Sequence, residues 1–75
     1  MRVAIYTSNT CLKVGRFNEF HSFIEAVDSS DRKTISKFTD MVNRLANSYQ
    51  WSRLEFANGY VYDRNLKTFI NDSIT

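Results

Sequence analysis

Hydrophobic positions along the chain change period three times, and each change marks a different kind of element. In RVAIYTS, Val3, Ile5 and Thr7 alternate with Ala4, Tyr6 and Ser8, the period of two expected of a strand with one buried face. After the polar SNT step, CLKVGRF places Leu12 and Val14 on one face, so the two runs are expected to pair as an N-terminal hairpin. From Asn18 the period lengthens: Phe20, Phe23, Ile24 and Val27 fall at i, i+3, i+4 and i+7, one stripe of a helix. Asn18 is its expected N-cap, and Glu19 falls in its first turn. DSSD then ends this helix and caps a second, in which Ile35, Phe38, Val42, Leu45 and Tyr49 follow three-four spacing. Asp40 and Arg44 form a favourable i,i+4 pair on its polar face.

The period returns to two in WSRLEFANGYVYDR, residues 51–64, which Asn58-Gly59 divides into two strands. A two-residue turn there sets Phe56 opposite Val61 and Glu55 opposite Tyr62. One face then holds Leu54, Phe56 and Val61. The other holds Trp51, Arg53, Glu55, Tyr60, Tyr62 and Arg64, either as a second buried layer or as a recognition surface. In the last segment Leu66, Phe69, Ile70 and Ile74 space as a short helix that Asn65 can cap, with an extended edge as the alternative. The expected order is β-β-α-α-β-β-α. It defines an α+β fold: a two-layer sandwich in which an antiparallel sheet, made of the N-terminal hairpin and the 52–63 hairpin, is packed by two central helices and a short C-terminal helix.

Seventy-five residues without proline, and with glycine only at Gly15 and Gly59, leave no linker in which a boundary could sit, so residues 1–75 are expected to form one domain. Aromatics make up 15% of the chain, which suits a small core because each large ring buries much area. Cys11 is the only cysteine, which excludes an intramolecular disulfide and a cysteine-rich zinc site. No signal-like or membrane-length apolar run occurs, and the expected setting is cytoplasmic, without a membrane.

A net charge of +2 is too mild to argue for nucleic acid, but its distribution is uneven. Residues 1–17 carry Arg2, Lys13 and Arg16 with no acid. Residues 18–31 carry only acids, and residues 32–53 return to positive with Arg32, Lys33, Lys37, Arg44 and Arg53 against Asp40 and no other acid.

Catalytic patterns are missing. His21 is the only histidine and stands beside the apolar stripe, with no orienting acid or nucleophile readable around it. Cys11 lacks a base and reads as a small apolar filler at a strand start. KVGRF holds a lone glycine, not a phosphate loop. Glu25, Asp28 and Asp31 cluster at the interhelical turn, where capping selects acids without any metal. No cofactor, metal or catalytic residue is expected.

FNEFHSFIEAVDSSDRKTISKFTDMVNRLAN followed by a hairpin resembles the order of helical hairpin and sheet in the RelE-type ribosome-dependent mRNA interferases. The resemblance covers about two thirds of the chain through apolar spacing. It implies an RNase toxin whose catalytic basic and aromatic side chains lie on later strands. Only Arg64 and Lys67 stand in that region, so no catalytic residue is carried over.

The leading expectation is therefore a monomeric, non-enzymatic module that modulates or inhibits a larger protein or protein complex. Small phage-encoded inhibitors of host machinery such as RNA polymerase are the favoured class. Its expected partner-binding residues are Arg2, Lys13, Arg16, Trp51, Arg53, Tyr60, Tyr62 and Arg64, since arginine, tyrosine and tryptophan dominate binding hot spots. The same aromatic and basic face supports an alternative, a platform for stacked bases of nucleic acid.

Overall fold

The computed structural model describes residues 1–71 and has the element order ββααβββ. Strands β1 (Arg2–Thr7), β2 (Thr10–Arg16), β3 (Arg53–Phe56), β4 (Val61–Asp63) and β5 (Thr68–Asn71) form one antiparallel sheet in the order β2-β1-β3-β4-β5. Helices α1 (Phe20–Ser29) and α2 (Arg32–Ala46) connect the edge strand β2 to the central strand β3. Both contribute to the same core as the inner face of the sheet, which makes the expected α+β sandwich. None of the described helices is long and apolar enough to cross a membrane.

The alternation read in β1 is realised: Val3 and Ile5 are buried while Ala4 and Tyr6 face the other way. In β2 the alternation is interrupted. Pairing runs Ile5↔Lys13 and then Tyr6↔Cys11, so Leu12 is a bulged residue that packs against the core, while Val14 turns outward and is 54% exposed. The expected common face of Leu12 and Val14 is thereby split. Gly15 supports the helix layer, because a Cβ there would lie 3.3 Å from Leu45 Cδ1 of α2.

Helix α1 starts one position later than Asn18 predicts, with Glu19 as N-cap and no side-chain capping bond. It ends in a Schellman motif: Ser30 takes left-handed backbone and donates to the Val27 carbonyl, and Asp31 donates to that of Ala26. Asp31 then caps α2, its carboxylate accepting from the Thr34 N–H at 3.2 Å and the Thr34 hydroxyl at 2.8 Å. The DSSD reading thus holds at both helix ends. Helix α2 buries Phe38 and Val42 but stops at Ala46, where left-handed Asn47 forms a second Schellman cap. Tyr49, expected as the last member of the stripe, lies beyond the helix and is 80% exposed.

The 52–63 hairpin forms, but its register is one residue from that expected. Leu54 opposes Tyr62 and Glu55 opposes Val61. The Phe56 N–H donates to the Tyr60 carbonyl, so the loop is the three residues Ala57-Asn58-Gly59, with Gly59 at φ 97°. This is a type I turn closed by a left-handed glycine and its bulge, the other hairpin geometry that Asn-Gly serves. Because side chains alternate, the slip exchanges faces: Tyr62 goes inward with Leu54 and Phe56, and Val61 goes outward.

The segment expected as a short helix begins instead with a reversal. Asp63 accepts from the Leu66 N–H at 2.9 Å, Lys67 takes a left-handed φ of 55°, and β5 returns along β4. A register shift inserts Ile70 between the pairs Tyr62↔Phe69 and Val61↔Asn71. That bulge produces the helix-like spacing of Phe69 and Ile70. Ile74 lies outside the described residues.

Rings fill the interior. Phe17 sits at the centre, 4.8 Å from Phe38 in an edge-on pair and 5.9 Å from Phe56 in a stacked one. Phe20, Phe23, Tyr62 and Phe69 continue the cluster, and such pairs add about 0.5–1.5 kcal/mol each beyond their burial.

Candidate functional site

Two surfaces compete as candidate sites. The first is the helix-free face of the sheet with its N-terminal edge. Arg2 and Arg16 are exposed and directly opposite each other across β1 and β2, and the next pair on the same face is Ala4 with exposed Val14. Two like charges facing across a strand pair repel, at a cost of a few tenths of a kcal/mol. Neither has an acidic partner: among the described residues, Arg53–Glu55 at 2.9 Å is the one ion pair. Lys13 is also exposed on β2, opposite Ile5. The outer side of β2 has no neighbouring strand in the described sheet, so its backbone groups are available to an added strand.

The aromatic half of the expected site is distributed differently. Trp51 and Tyr62 are each 2% exposed and belong to the core, a correction to their expected place on a binding surface. Trp51 anchors the α2–β3 loop by donating from Nε1 to Asn43 Oδ1 at 2.7 Å. Tyr60 is half-buried and also points inward, edge-on to Phe20 at 5.4 Å and Phe69 at 5.3 Å. No platform of stacked aromatics therefore forms on the outer face. Among the described strand residues, Tyr6 is the aromatic facing outward there, and the Arg53 guanidinium covers its ring at 4.3 Å.

Arg53 and Arg64 are half-buried and act within the fold. Arg53 donates through Nε to Glu55 and through a terminal nitrogen to the Ser8 carbonyl, tying the β1–β2 turn to β3. Arg64 lies 4.6 Å over the Trp51 ring and donates to the carbonyls of Tyr49 at 2.6 Å and Trp51 at 3.3 Å. Each is a clamp on a loop. Cys11, expected as a filler, is exposed and pairs with Tyr6 on the outer face. His21 is exposed on α1, and no group of three His, Cys, Asp or Glu converges among the described residues.

The second surface is a groove of about 830 Å³ between the start of α2, the loop leading into β3 and the β4–β5 turn. Arg32, Ile35, Ser36 and Thr39 line it at i, i+3, i+4 and i+7, one face of α2. Trp51 and Tyr62 contribute from the sheet side, with Arg64, Asn65 and Lys67 from the turn. Sequence reading missed this site because its cations are distant along the chain and the turn was read as a helix. The helical spacing of 32, 35, 36 and 39 was the available signal. Burial raises the Tyr62 phenol above its ordinary value near 10.0, with Arg64 opposing the shift and Asp63 adding to it, so the group is a neutral donor.

In comparisons with known proteins, the chain matches no family model, no curated protein and no solved structure.

Proposed function

We propose that this protein is a non-enzymatic binding module that engages the acidic surface of a larger protein or protein complex through its N-terminal hairpin. The cross-strand pair Arg2/Arg16 on the edge hairpin, which has no acidic partner among the described residues, carries this reading. Cross-strand neighbours usually attract, and a pair that repels in the free protein is relieved when a carboxylate lies between the two guanidinium groups. The adjacent edge of β2 supplies backbone donors and acceptors for strand addition, and exposed Val14 supplies an apolar contact beside the charges. Inhibition of host machinery such as RNA polymerase, in the manner of small phage-encoded proteins, is the specific form this function takes in our reading.

Affinity capture of the tagged full chain from its host's lysate tests the proposal, with Arg16→Glu as the paired bait. The expected result is a protein recovered by the parent and depleted with Arg16→Glu. Equal recovery by both baits removes the hairpin from the interface. A fluorophore on exposed Cys11, four positions before the edge residue Gly15, reports docking directly by a change in polarisation. The nucleic-acid alternative loses its main support, since the rings it relied on face the core.

A further inference from the structure

We infer that the groove beside α2 is a binding site for a small nucleoside phosphate. Three observations converge on it. Arg32, Arg64 and Lys67 line the groove, and no carboxylate does among the described residues. The acids nearest to them in sequence are engaged elsewhere, Asp31 capping Thr34 and Asp63 accepting from Leu66. Three cations without a counter-charge among the described residues suit a phosphate monoester, which carries about −1.5 to −2 at neutral pH, better than a single carboxylate.

Tyr62 supplies the second observation. The residue is 98% buried, being 2% exposed, yet its hydroxyl makes no hydrogen bond to a described residue. Tyr62 is also one of the residues that line the groove. A neutral phenol lining a cationic groove is a donor suited to an anion.

The third is Lys67 itself. It occupies a left-handed position, φ 55°, that glycine or asparagine would fill with less strain, and it lines the groove from the turn. The groove exceeds what a bare phosphate fills and lies within the range of about 300–1,000 Å³ typical of small-ligand sites. Tyr49, 80% exposed at its edge, offers a ring face for a base.

The test is a titration of the full chain with AMP, UMP, inorganic phosphate and a 5′-phosphorylated tetranucleotide, followed by Trp51 fluorescence and by amide chemical shifts. Saturable binding of AMP or UMP is expected, with perturbed amides confined to the groove. Lys67→Gly is expected to weaken it about tenfold, the value of one charge-assisted hydrogen bond. Because glycine relieves the strained backbone, this variant keeps its fold, which an unchanged near-ultraviolet circular dichroism spectrum checks. Arg32→Gln is expected to act in the same direction. Tyr62→Phe, which removes only the hydroxyl, is expected to reduce affinity severalfold. Three outcomes overturn the assignment: no saturable change with either nucleotide, equal affinity for inorganic phosphate, or nucleotide affinity unchanged in Lys67→Gly. Tetranucleotide binding more than about 100-fold tighter than AMP also overturns it, in favour of a strand-binding groove.

Discussion

At the scale of single residues, Tyr62 joins α1, β5 and the α2–β3 loop. Its ring meets Phe23 edge-on at 5.0 Å and Phe69 at 5.6 Å, while Trp51 lies 6.4 Å away. Tyr62→Ala leaves a ring-sized void among groups that cannot close over it, and is expected to cost about 3–5 kcal/mol, much of the stability of so small a domain. Tyr62→Phe keeps the ring and is expected to fold normally, which denaturant unfolding of the two variants checks. The same burial sets an alkaline limit. The folded-state value of the phenol is raised above 10.0, so its stabilising contribution is complete below that pH and disappears as pH rises through the raised value. Ionisation of the Tyr62 phenol should therefore accompany unfolding, and Tyr62→Phe should move the alkaline midpoint upward. Asp31 behaves oppositely at the acid end. Its bonds with Thr34 hold the carboxyl below 3.8, so its contribution is present above that value and is lost as pH falls through the lowered one. Replacement by asparagine keeps a capping oxygen without the titration, and should flatten the acid limb of a stability profile.

Elements were legible wherever one periodicity dominated and were misread wherever a local irregularity changed it. The alternation of β1 and the Phe38/Val42 stripe of α2 stood out because each buries one face without interruption. Three bulges broke the pattern elsewhere, at Leu12, at Gly59 and at Ile70, and a bulge is invisible in a count of alternating residues. At Asn58-Gly59 the turn signal was right and the loop length wrong. What selects the three-residue loop is tertiary: it places Tyr62, rather than Val61, against α1, and the larger ring buries more area. The candidate site suffered most, since a shift of one residue moved Tyr62 from the outer face to the groove floor. Trp51 was equally unreadable, because its burial depends on the distant Asn43. Gly59→Ala tests the loop: at φ 97° an added Cβ is strained, and a loss of about 1 kcal/mol or more is expected in chemical denaturation. Asn47→Gly at the end of α2 should do the reverse, gaining a few tenths of a kcal/mol by relieving the left-handed cap.

For the whole molecule, the organising fact is that the described residues cover the sheet on one face, and that the other face carries a charge arrangement unfavourable to its own fold. Arg2 and Arg16 repel across β1 and β2, so reversing either charge turns a repulsive pair into an attractive one. Arg16→Glu and Arg2→Glu should each raise stability, by about 0.5 kcal/mol at low salt. The combined Arg2→Glu/Arg16→Glu variant restores a like-charge pair and should return to the parent value. Salt screens exposed charges, so the two single-variant differences should shrink together as ionic strength approaches that of physiological buffer. This cycle isolates the pair from general effects of net charge, because the double variant changes charge most and stability least. Its value lies in the comparison with binding. If the hairpin serves only the fold, the more stable single variants have no counterpart in partner capture. If it meets an acidic surface, Arg16→Glu gains stability and loses its partner in the same substitution, and the double variant loses the partner while standing no more stable than the parent. Measuring unfolding midpoints and capture on the same four proteins separates these outcomes, and capture retained by the double variant would end the case for recognition through this edge.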